Sequence, residues 1–287
     1  MKYEIIDKEI LNPTVIRMRI HAPLVARKAE AGQFIILRTD EDGERIPLTV
    51  AGYSREQGWV EIIFQVVGAT TEQLSHMKIG EALCDFVGPL GVPTELDGID
   101  RALVVGGGVG CAIALPIAHA LKEKGARVTS IIGFRSHDLV ILEEEFRAVS
   151  EETILMTDDG SLGQAGNVTL PIKELLAAGE HFDRIIAIGP LVMMKYAVEA
   201  VRPYPIPITV SMNPIMIDGT GMCGGCRLTL VNEDGTREVR FACVDGPDFD
   251  GRLVDFDEAI RRSKMYSSFE RHAHSEACNL YRGGRQK

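Results

Sequence analysis

The sequence predicts an antiparallel β-barrel, then a doubly wound α/β domain with a parallel sheet, then a small cysteine-rich module. Three observations predict this fold class. Short strand-like runs fill the first third of the chain, strand and helix patterns alternate after it, and glycines and cysteines cluster beyond residue 211. We therefore divide the chain into residues 1–97, 98–210, 211–252 and a helical tail, 253–287, that is expected to contact a partner.

Composition and charge narrow the class of protein. The chain has 287 residues, 45% of them hydrophobic and 25% charged, which is typical of a globular protein of about two domains. The formal net charge of −10 disfavours nucleic acid as a partner, because phosphate binding needs basic surface. The first residues lack the apolar core of a signal peptide, and the six cysteines suggest thiols or ligands, so we expect a cytoplasmic protein.

The barrel is predicted from runs such as VIRMRIHA (15–22), GQFIILRT (32–39) and WVEIIFQVV (59–67), which turn signals separate. From residue 98 the rhythm changes. RALVVGGG predicts a buried strand and glycine turn, and the following residues to Gly125 predict a helix. The uncharged stretch 102–121 contains three consecutive glycines and Pro116, so we expect this strand, turn and helix rather than a membrane span.

The glycine turn is the first candidate binding site. Glycine lets backbone N–H groups approach a pyrophosphate at a helix N-terminus, although a turn that serves packing alone stays an alternative. The candidate residues are Gly106, Gly107, Gly108, Val109 and Gly110.

Two further loops, TDDGSLGQAG (157–166) and IGPLVMM (188–194), follow predicted strands and should meet the glycine turn at the same sheet edge. They predict a nucleotide site there. Its other candidate residues are Asp158, Gly189, Pro190, Met193 and, after the second strand, Arg135. Arg135 could favour a 2′-phosphate, so the choice between NAD and NADP stays open.

The stretch DGTGMCGGC (218–226) indicates a metal site. Plant-type [2Fe–2S] loops have the spacing Cys-x4-Cys-x2-Cys with a fourth cysteine further on. Here Cys223, Cys226 and Cys243 match, but Asp218 stands where the first cysteine is expected. From spacing alone, a cluster, a zinc site and no metal all remain open, and Asp218 could simply cap a turn.

Together, RIPLT, GGGVG, TDDGS and GPLVMM on this predicted architecture resemble the ferredoxin–NADP reductase-like flavoprotein superfamily. The segment SMNPIMIDGTGMCGGC is similar to the small subunits of NADH-dependent reduced-ferredoxin:NADP oxidoreductase and sulfide dehydrogenase. More distantly, it is similar to the electron-transfer subunit of dihydroorotate dehydrogenase.

This resemblance implies FAD in the barrel, NAD(H) on the α/β domain and one [2Fe–2S] cluster in the C-terminal module. The implied ligands are Asp218, Cys223, Cys226 and Cys243. It also implies a larger partner subunit that carries its own flavin and [4Fe–4S] clusters.

The superfamily's flavin motif, Arg-x-Tyr-Ser/Thr, is altered here. With its hydroxyl aligned on Thr49, Ile46 replaces the arginine and Leu48 the tyrosine, while Arg45 stands one residue earlier. The resemblance implies that the Thr49 hydroxyl lies near flavin N5, although threonine is also common in barrel strands. The implied flavin contacts are Arg45, Pro47, Leu48, Thr49 and, in VVGATT, Val66, Gly68, Thr70 and Thr71. Thr70 or Thr71 could instead cap a helix.

The sequence thus predicts an electron-transfer subunit, as in electron-bifurcating NADH-dependent ferredoxin:NADP oxidoreductase. Two alternatives remain. One is the electron-transfer subunit of dihydroorotate dehydrogenase, whose family uses four cysteine ligands. The other is a redox sensor or assembly module without turnover.

Overall fold

The computed structural model describes residues 2–265. The first part is an antiparallel sheet in the order β6-β1-β2-β5-β4-β3-β7. Its strands are β1 (Tyr3–Asn12), β2 (Val15–His21), β3 (Phe34–Arg38), β4 (Ile46–Ser54), β5 (Trp59–Gln65), β6 (Ala82–Leu83) and β7 (Asp85–Leu90). Only Cys84 separates the two outer strands β6 and β7, so the sheet curls into a nearly closed barrel. Two helices accompany it, α1 (Pro23–Ala26) and α2 (Ala69–His76).

Apolar side chains at alternate positions along the strands fill the interior of the barrel. Met18 and Ile20 of β2 lie opposite Ile62 and Val60 of β5, and all four side chains are buried. The charged neighbours Arg17 and Arg19 point to the other face, where both approach the carboxylate of Glu61. The period of two seen in the sequence therefore sets which face becomes the core, and the predicted barrel is confirmed.

The second part is a seven-stranded sheet in the order β11-β10-β9-β8-β12-β13-β16. Its strands are β8 (Arg101–Gly107), β9 (Arg127–Phe134), β10 (Glu152–Thr157), β11 (Gln164–Ala165), β12 (Arg184–Ile188), β13 (Ile208–Ser211) and β16 (Asp248–Asp250). The helices are α3 (Cys111–Glu123), α4 (Glu143–Val149), α5 (Thr169–Ala177) and α6 (Leu191–Val201). All neighbours are parallel except β13 and β16, so the predicted doubly wound domain is confirmed.

The two faces of β8 build two separate cores. Ala102 and Val104 pack with α3 and α4, whereas Leu103 and Val105 pack with α5 and α6 on the opposite face. Helices therefore cover both faces of the sheet, which explains why β8 is an uninterrupted apolar run. Among the described residues, no helix is long and apolar enough to cross a membrane.

The C-terminal module is attached to the edge of this sheet. It contains the hairpin of β14 (Arg227–Val231) and β15 (Arg237–Phe241), the short helix α7 (Ala242–Asp245) and the helix α8 (Phe256–Ser263). β16 follows α7 and pairs antiparallel with β13. Cys226 and Cys243 belong to the same core as α6, so the module shares its interior with the α/β domain.

The helix α8 has clear end signals. The Asp255 carboxylate accepts a hydrogen bond from the Glu258 N–H at 2.9 Å, and Arg261 and Arg262 occupy its last turn. The predicted helical tail therefore begins as a helix. Its remainder, 266–287, lies outside the described residues, and its predicted partner contact stays a prediction.

The barrel meets the module at a buried carboxyl group. The Thr94 hydroxyl donates to Asp248 Oδ2 at 2.6 Å, and the Val92 N–H donates to the Gly246 carbonyl at 2.7 Å. Burial raises the pKa of Asp248. The barrel, the sheet and the module thus converge around β16.

Candidate functional site: a nucleotide cavity beside a cysteine loop

A cavity of about 820 Å³ lies where the carboxyl ends of β8 and β12 face the barrel. The strand order reverses between these two strands, since β9 and β10 extend to one side of β8 and β12 and β13 to the other. Ligands of open α/β sheets bind at such a switch point. Residues of the barrel, the α/β domain and the C-terminal module all line the cavity.

The glycine turn after β8 forms one wall. It lines the cavity with Gly107, Gly108, Val109 and Gly110, and Gly106 belongs to the strand just before them. Gly108 has a φ of +55° and open space where a side chain would project. A Cβ at Gly110 would instead lie 2.5 Å from the Ile188 carbonyl oxygen. The turn thus packs closely against β12 and leaves Gly108 open to a ligand.

The neighbouring loops complete the nucleotide side. They line the cavity with Arg135, Asp158, Gly189, Pro190 and Met193, as the sequence predicts. The Asp158 N–H donates to the Phe134 carbonyl at 3.0 Å, which ties the loop after β10 to the end of β9. The structure therefore brings the three separate sequence motifs together.

The barrel wall comes from β4. Pro47, Leu48 and Thr49 line the cavity, and Thr49 pairs with Phe34 of β3, which lines it too. The Thr49 side chain is half-buried at this wall. Its place near a flavin ring stays a prediction.

The remaining flavin candidates lie at the N-terminus of α2. Thr71 Oγ1 accepts hydrogen bonds from the N–H groups of Val67 and Gly68 at 3.0 and 2.9 Å, and donates to the Gly68 carbonyl. The Thr70 hydroxyl donates to Glu44 at 3.3 Å. In this structure the Thr71 hydroxyl braces the turn between Val66 and the helix, and pyrophosphate binding there stays a prediction.

The C-terminal loop places the Asp218 carboxylate against the backbone of Cys223 and places Cys226 beside Cys243. Asp218 Oδ1 accepts from the Thr220 N–H and Oδ2 from the Cys223 N–H, each at 2.8 Å. Cys226 Sγ and Cys243 Sγ lie 3.2 Å apart, and the Gly221 N–H donates to Cys243 Sγ at 3.1 Å. The loop thus aims backbone N–H groups at both the carboxylate and a sulfur.

The pKa values of Cys243 and Asp218, two of the proposed ligands, shift in opposite directions. Burial, together with the adjacent Cys226 thiol, raises the pKa of the Cys243 thiol to about 12. The Thr220 and Cys223 N–H groups lower the pKa of Asp218. The Asp218 carboxylate is therefore ionised, whereas Cys243 would have to lose its proton to serve as an iron ligand.

The donor set fits an iron–sulfur cluster. Within residues 2–265, no three His, Cys, Asp or Glu side chains converge as ligands of a single metal ion. A [2Fe–2S] cluster spreads its ligands over two irons and accepts N–H hydrogen bonds at its sulfurs. Three thiols and one carboxylate in a glycine-rich loop match that chemistry.

Arg45 lies just before β4 and is not among the residues that line the cavity. Its Nε donates to the Ile217 carbonyl at 3.1 Å, next to Asp218, and its Nη1 lies 4.0 Å from Asp85. The arginine thus contacts the cysteine loop rather than the cavity wall formed by Pro47 and Thr49.

Sequence reasoning missed several lining residues. They include Phe34 and Gln65 from the barrel, Asn167 and Tyr196 from the α/β domain, and Met212, Asn213 and Met216 from the C-terminal module. Asn213 and Met216 precede the cysteine loop in the segment SMNPIMIDG, so their closeness to Asp218 was the available signal.

Comparisons with known proteins agree with this geometry. Residues 213–255 match the family described as the iron–sulfur cluster binding domain of dihydroorotate dehydrogenase B. A Thermotoga maritima protein, described as a dihydroorotate dehydrogenase B (NAD(+)) electron transfer subunit homolog, is 45% identical over 93% of both chains. The dihydroorotate dehydrogenase B (NAD(+)) electron transfer subunit from Streptococcus pneumoniae is 32% identical over 86% of this chain and 97% of its own.

Solved structures are similar as well. A chain in a structure of the NADH-dependent reduced ferredoxin–NADP oxidoreductase, described in terms of flavin-based electron bifurcation, superimposes with a TM-score of 0.88. It is 42% identical and covers 96% of this chain and 98% of that chain. The ferredoxin reductase of carbazole 1,9a-dioxygenase, at 19% identity and a TM-score of 0.61, shares the fold.

These matches confirm the resemblance, the fold class and the iron–sulfur module predicted from the sequence. They extend over nearly the whole length of this chain and of its relatives. The protein therefore belongs to the family of the dihydroorotate dehydrogenase B electron transfer subunit.

Proposed function

We propose that this electron-transfer subunit passes electrons between NAD(H), FAD, a [2Fe–2S] cluster and a larger partner subunit. One observation carries the proposal. Gly108 of the nucleotide turn, Thr49 of the barrel and Asn213 of the segment before the cysteine loop all line the same cavity. A ligand in this cavity lies between the nucleotide site and the proposed cluster, as electron transfer between them requires.

The protein's part in the chemistry is positioning. When bound, FAD and NAD(H) supply hydride exchange, and a [2Fe–2S] cluster supplies one-electron steps. Gly108 would let backbone N–H groups at the start of α3 approach the dinucleotide pyrophosphate. Thr49 would orient the flavin ring from β4, while the N-terminus of α2 would hold the FAD pyrophosphate. Hydride exchange needs no protein acid or base, so positioning is sufficient.

The cluster ligands would be Asp218, Cys223, Cys226 and Cys243. The loop that carries them also exposes an apolar surface, with Met222 89% exposed. Its other exposed apolar side chains are Ile215, Ile217 and Val244. Such a surface beside an electron carrier supports docking of a partner there. We infer that the partner carries flavin and [4Fe–4S] clusters, and that the complex is cytoplasmic, where the cysteines stay reduced.

A second candidate is supported by the family matches. As the electron transfer subunit of a dihydroorotate dehydrogenase, the chain would deliver electrons to an FMN in its partner. Asp218 favours the first proposal, because four cysteine ligands are expected for the subunit that serves dihydroorotate dehydrogenase itself. The two proposals differ in the partner, which would bring several irons in one case and FMN without iron in the other.

The proposal is tested by purifying the protein anaerobically without a partner. We expect flavin and about two irons and two sulfides per chain. NADH should bleach the flavin absorbance rapidly. A preparation rich in zinc and free of iron would contradict the cluster, and a loaded protein whose flavin NADH does not reduce would instead be a sensor or assembly module.

A further inference from the structure

Two arginines that are distant in sequence from the cysteine loop donate hydrogen bonds to carbonyls at its two ends. A third, Arg227, follows the loop directly and donates from Nη1 to the Gly224 carbonyl at 3.5 Å. Arg45, the residue just before β4, donates from Nε to the Ile217 carbonyl at 3.1 Å. Arg262, in the last turn of α8, donates from Nη2 to the Gly225 carbonyl at 3.3 Å. Ile217 precedes Asp218 and Gly225 precedes Cys226, so each arginine holds the peptide group next to one proposed ligand.

The barrel also packs directly against the cysteine loop. Gly219 has a φ of +75°, and a Cβ there would lie 2.8 Å from the Cδ1 atoms of both Ile36 and Leu90. The loop therefore contacts the barrel wall at the residue directly after Asp218. Arg45 fixes this entry with a polar contact, while Arg262 fixes the far side from the C-terminal helix.

Both arginines bring positive charge that other groups neutralise only weakly. The Asp85 carboxylate lies 4.0 Å from Arg45 but 2.8 Å from Arg38. Asp85 therefore interacts more strongly with Arg38 than with Arg45. For Arg262, no carboxylate of residues 2–265 lies within 4.0 Å. A cluster with three thiolates and one carboxylate becomes more negative when reduced, so nearby positive charge favours the reduced form.

We propose that Arg45 and Arg262 form an arginine clamp, which fixes the ligand loop and raises the midpoint potential of the cluster. This assignment rests on the proposed cluster. It makes both arginines positioning residues, and it moves Arg45 from the flavin to the cluster. The clamp also links the barrel and the C-terminal helix to the same ligand loop.

The test uses Arg45→Gln and Arg262→Gln in the full chain, purified anaerobically with flavin and iron bound. Flavin and iron content should stay near the unsubstituted values. EPR-monitored titration should show the reduction equilibrium shifted at least about threefold toward the oxidised cluster, or about 30 mV at 59 mV per tenfold step. Arg45→Lys and Arg262→Lys keep the charge and should recover most of this shift.

Arg55→Gln is the matched control. Arg55 lies on the same barrel and also donates to a carbonyl, that of Ala29, but it does not contact the cysteine loop. Its removal should leave the midpoint potential unchanged.

An unchanged potential and unchanged g-values in both glutamine variants would overturn the proposal. Flavin loss from both Arg45→Gln and Arg45→Lys, with an unaltered cluster, would return Arg45 to the flavin and overturn it as well. If the unsubstituted protein holds no [2Fe–2S] cluster, the proposed function fails at that earlier step, before any variant is compared.

Discussion

The Asp218 carboxylate uses both of its oxygens on backbone N–H groups of its own loop, those of Thr220 and Cys223. A turn residue would do the same, since aspartate commonly closes turns of this kind. As a ligand, it would place one hard oxygen on an iron that otherwise binds sulfur. The two roles predict different behaviour on substitution.

If Asp218 is a ligand, Asp218→Cys should retain the cluster, because it restores the plant-type spacing with a softer thiolate. The midpoint potential and the EPR g-values should both shift. Asp218→Ala should lose most of the iron, while NADH should still bleach the flavin, because the cavity proposed for hydride exchange does not include Asp218. Anaerobic iron analysis and EPR check both variants.

The control is Asp218→Asn, which keeps an oxygen that can accept one of the two N–H groups. A fully loaded Asp218→Cys protein with the potential and g-values of the unsubstituted protein would remove Asp218 from the ligand set.

Among the elements, the unit of β8, glycine turn and α3 is the one that we propose binds the nucleotide. The turn closes tightly on β12 at Gly110, but Gly108 faces open space in the cavity. A side chain at Gly108 would therefore meet the ligand rather than the protein. The positive φ adds a cost of roughly 1–2 kcal/mol for a β-branched residue.

Gly108→Val should weaken NADH binding by about tenfold or more, because it blocks approach of the pyrophosphate. Flavin and iron content should stay near normal. The matched control is Gly125→Val. Gly125 has a φ of +90° and open space as well, but it lies in the turn after α3. Equal loss of NADH affinity in both variants, measured by flavin bleaching, would assign the effect to strain rather than to the site.

Much of this organisation could be predicted from local patterns. The alternation in β2, the apolar run of β8 and the glycines after it follow directly from strand periodicity and turn chemistry. The contact of Arg45 with Ile217 could not be predicted, because 172 residues separate the two and no periodicity connects them. Likewise, β16 has only three residues, DFD, and acquires its strand conformation from pairing with β13.

At the scale of the whole molecule, the exposed apolar surface around the cysteine loop is where we propose that the partner docks. Met222 lies between Gly221 and Cys223 with almost its entire side chain exposed. Exposed apolar side chains at such a position contribute strongly to binding when a partner covers them.

Met222→Glu should weaken the complex with the partner at least about tenfold, or ~1.4 kcal/mol. Iron content and flavin bleaching by NADH should not change in the isolated subunit. The control is Ile10→Glu, since Ile10 is 71% exposed on β1 of the barrel. The measurement is the affinity of each variant for the purified partner. An unaffected Met222→Glu complex places the partner on another surface.

The pairing of β16 with β13 closes the segment that carries the proposed ligands. All four proposed ligands lie between these two strands in the sequence, so one segment both assembles the cluster and delivers the strand that covers the sheet edge. If the ligand loop stayed unfolded for want of iron, β16 would not be held in place and β13 would be left bare. A bare edge strand is a template for pairing with another chain. Under iron starvation we therefore expect this protein to self-associate and to be degraded, in addition to losing the proposed cluster.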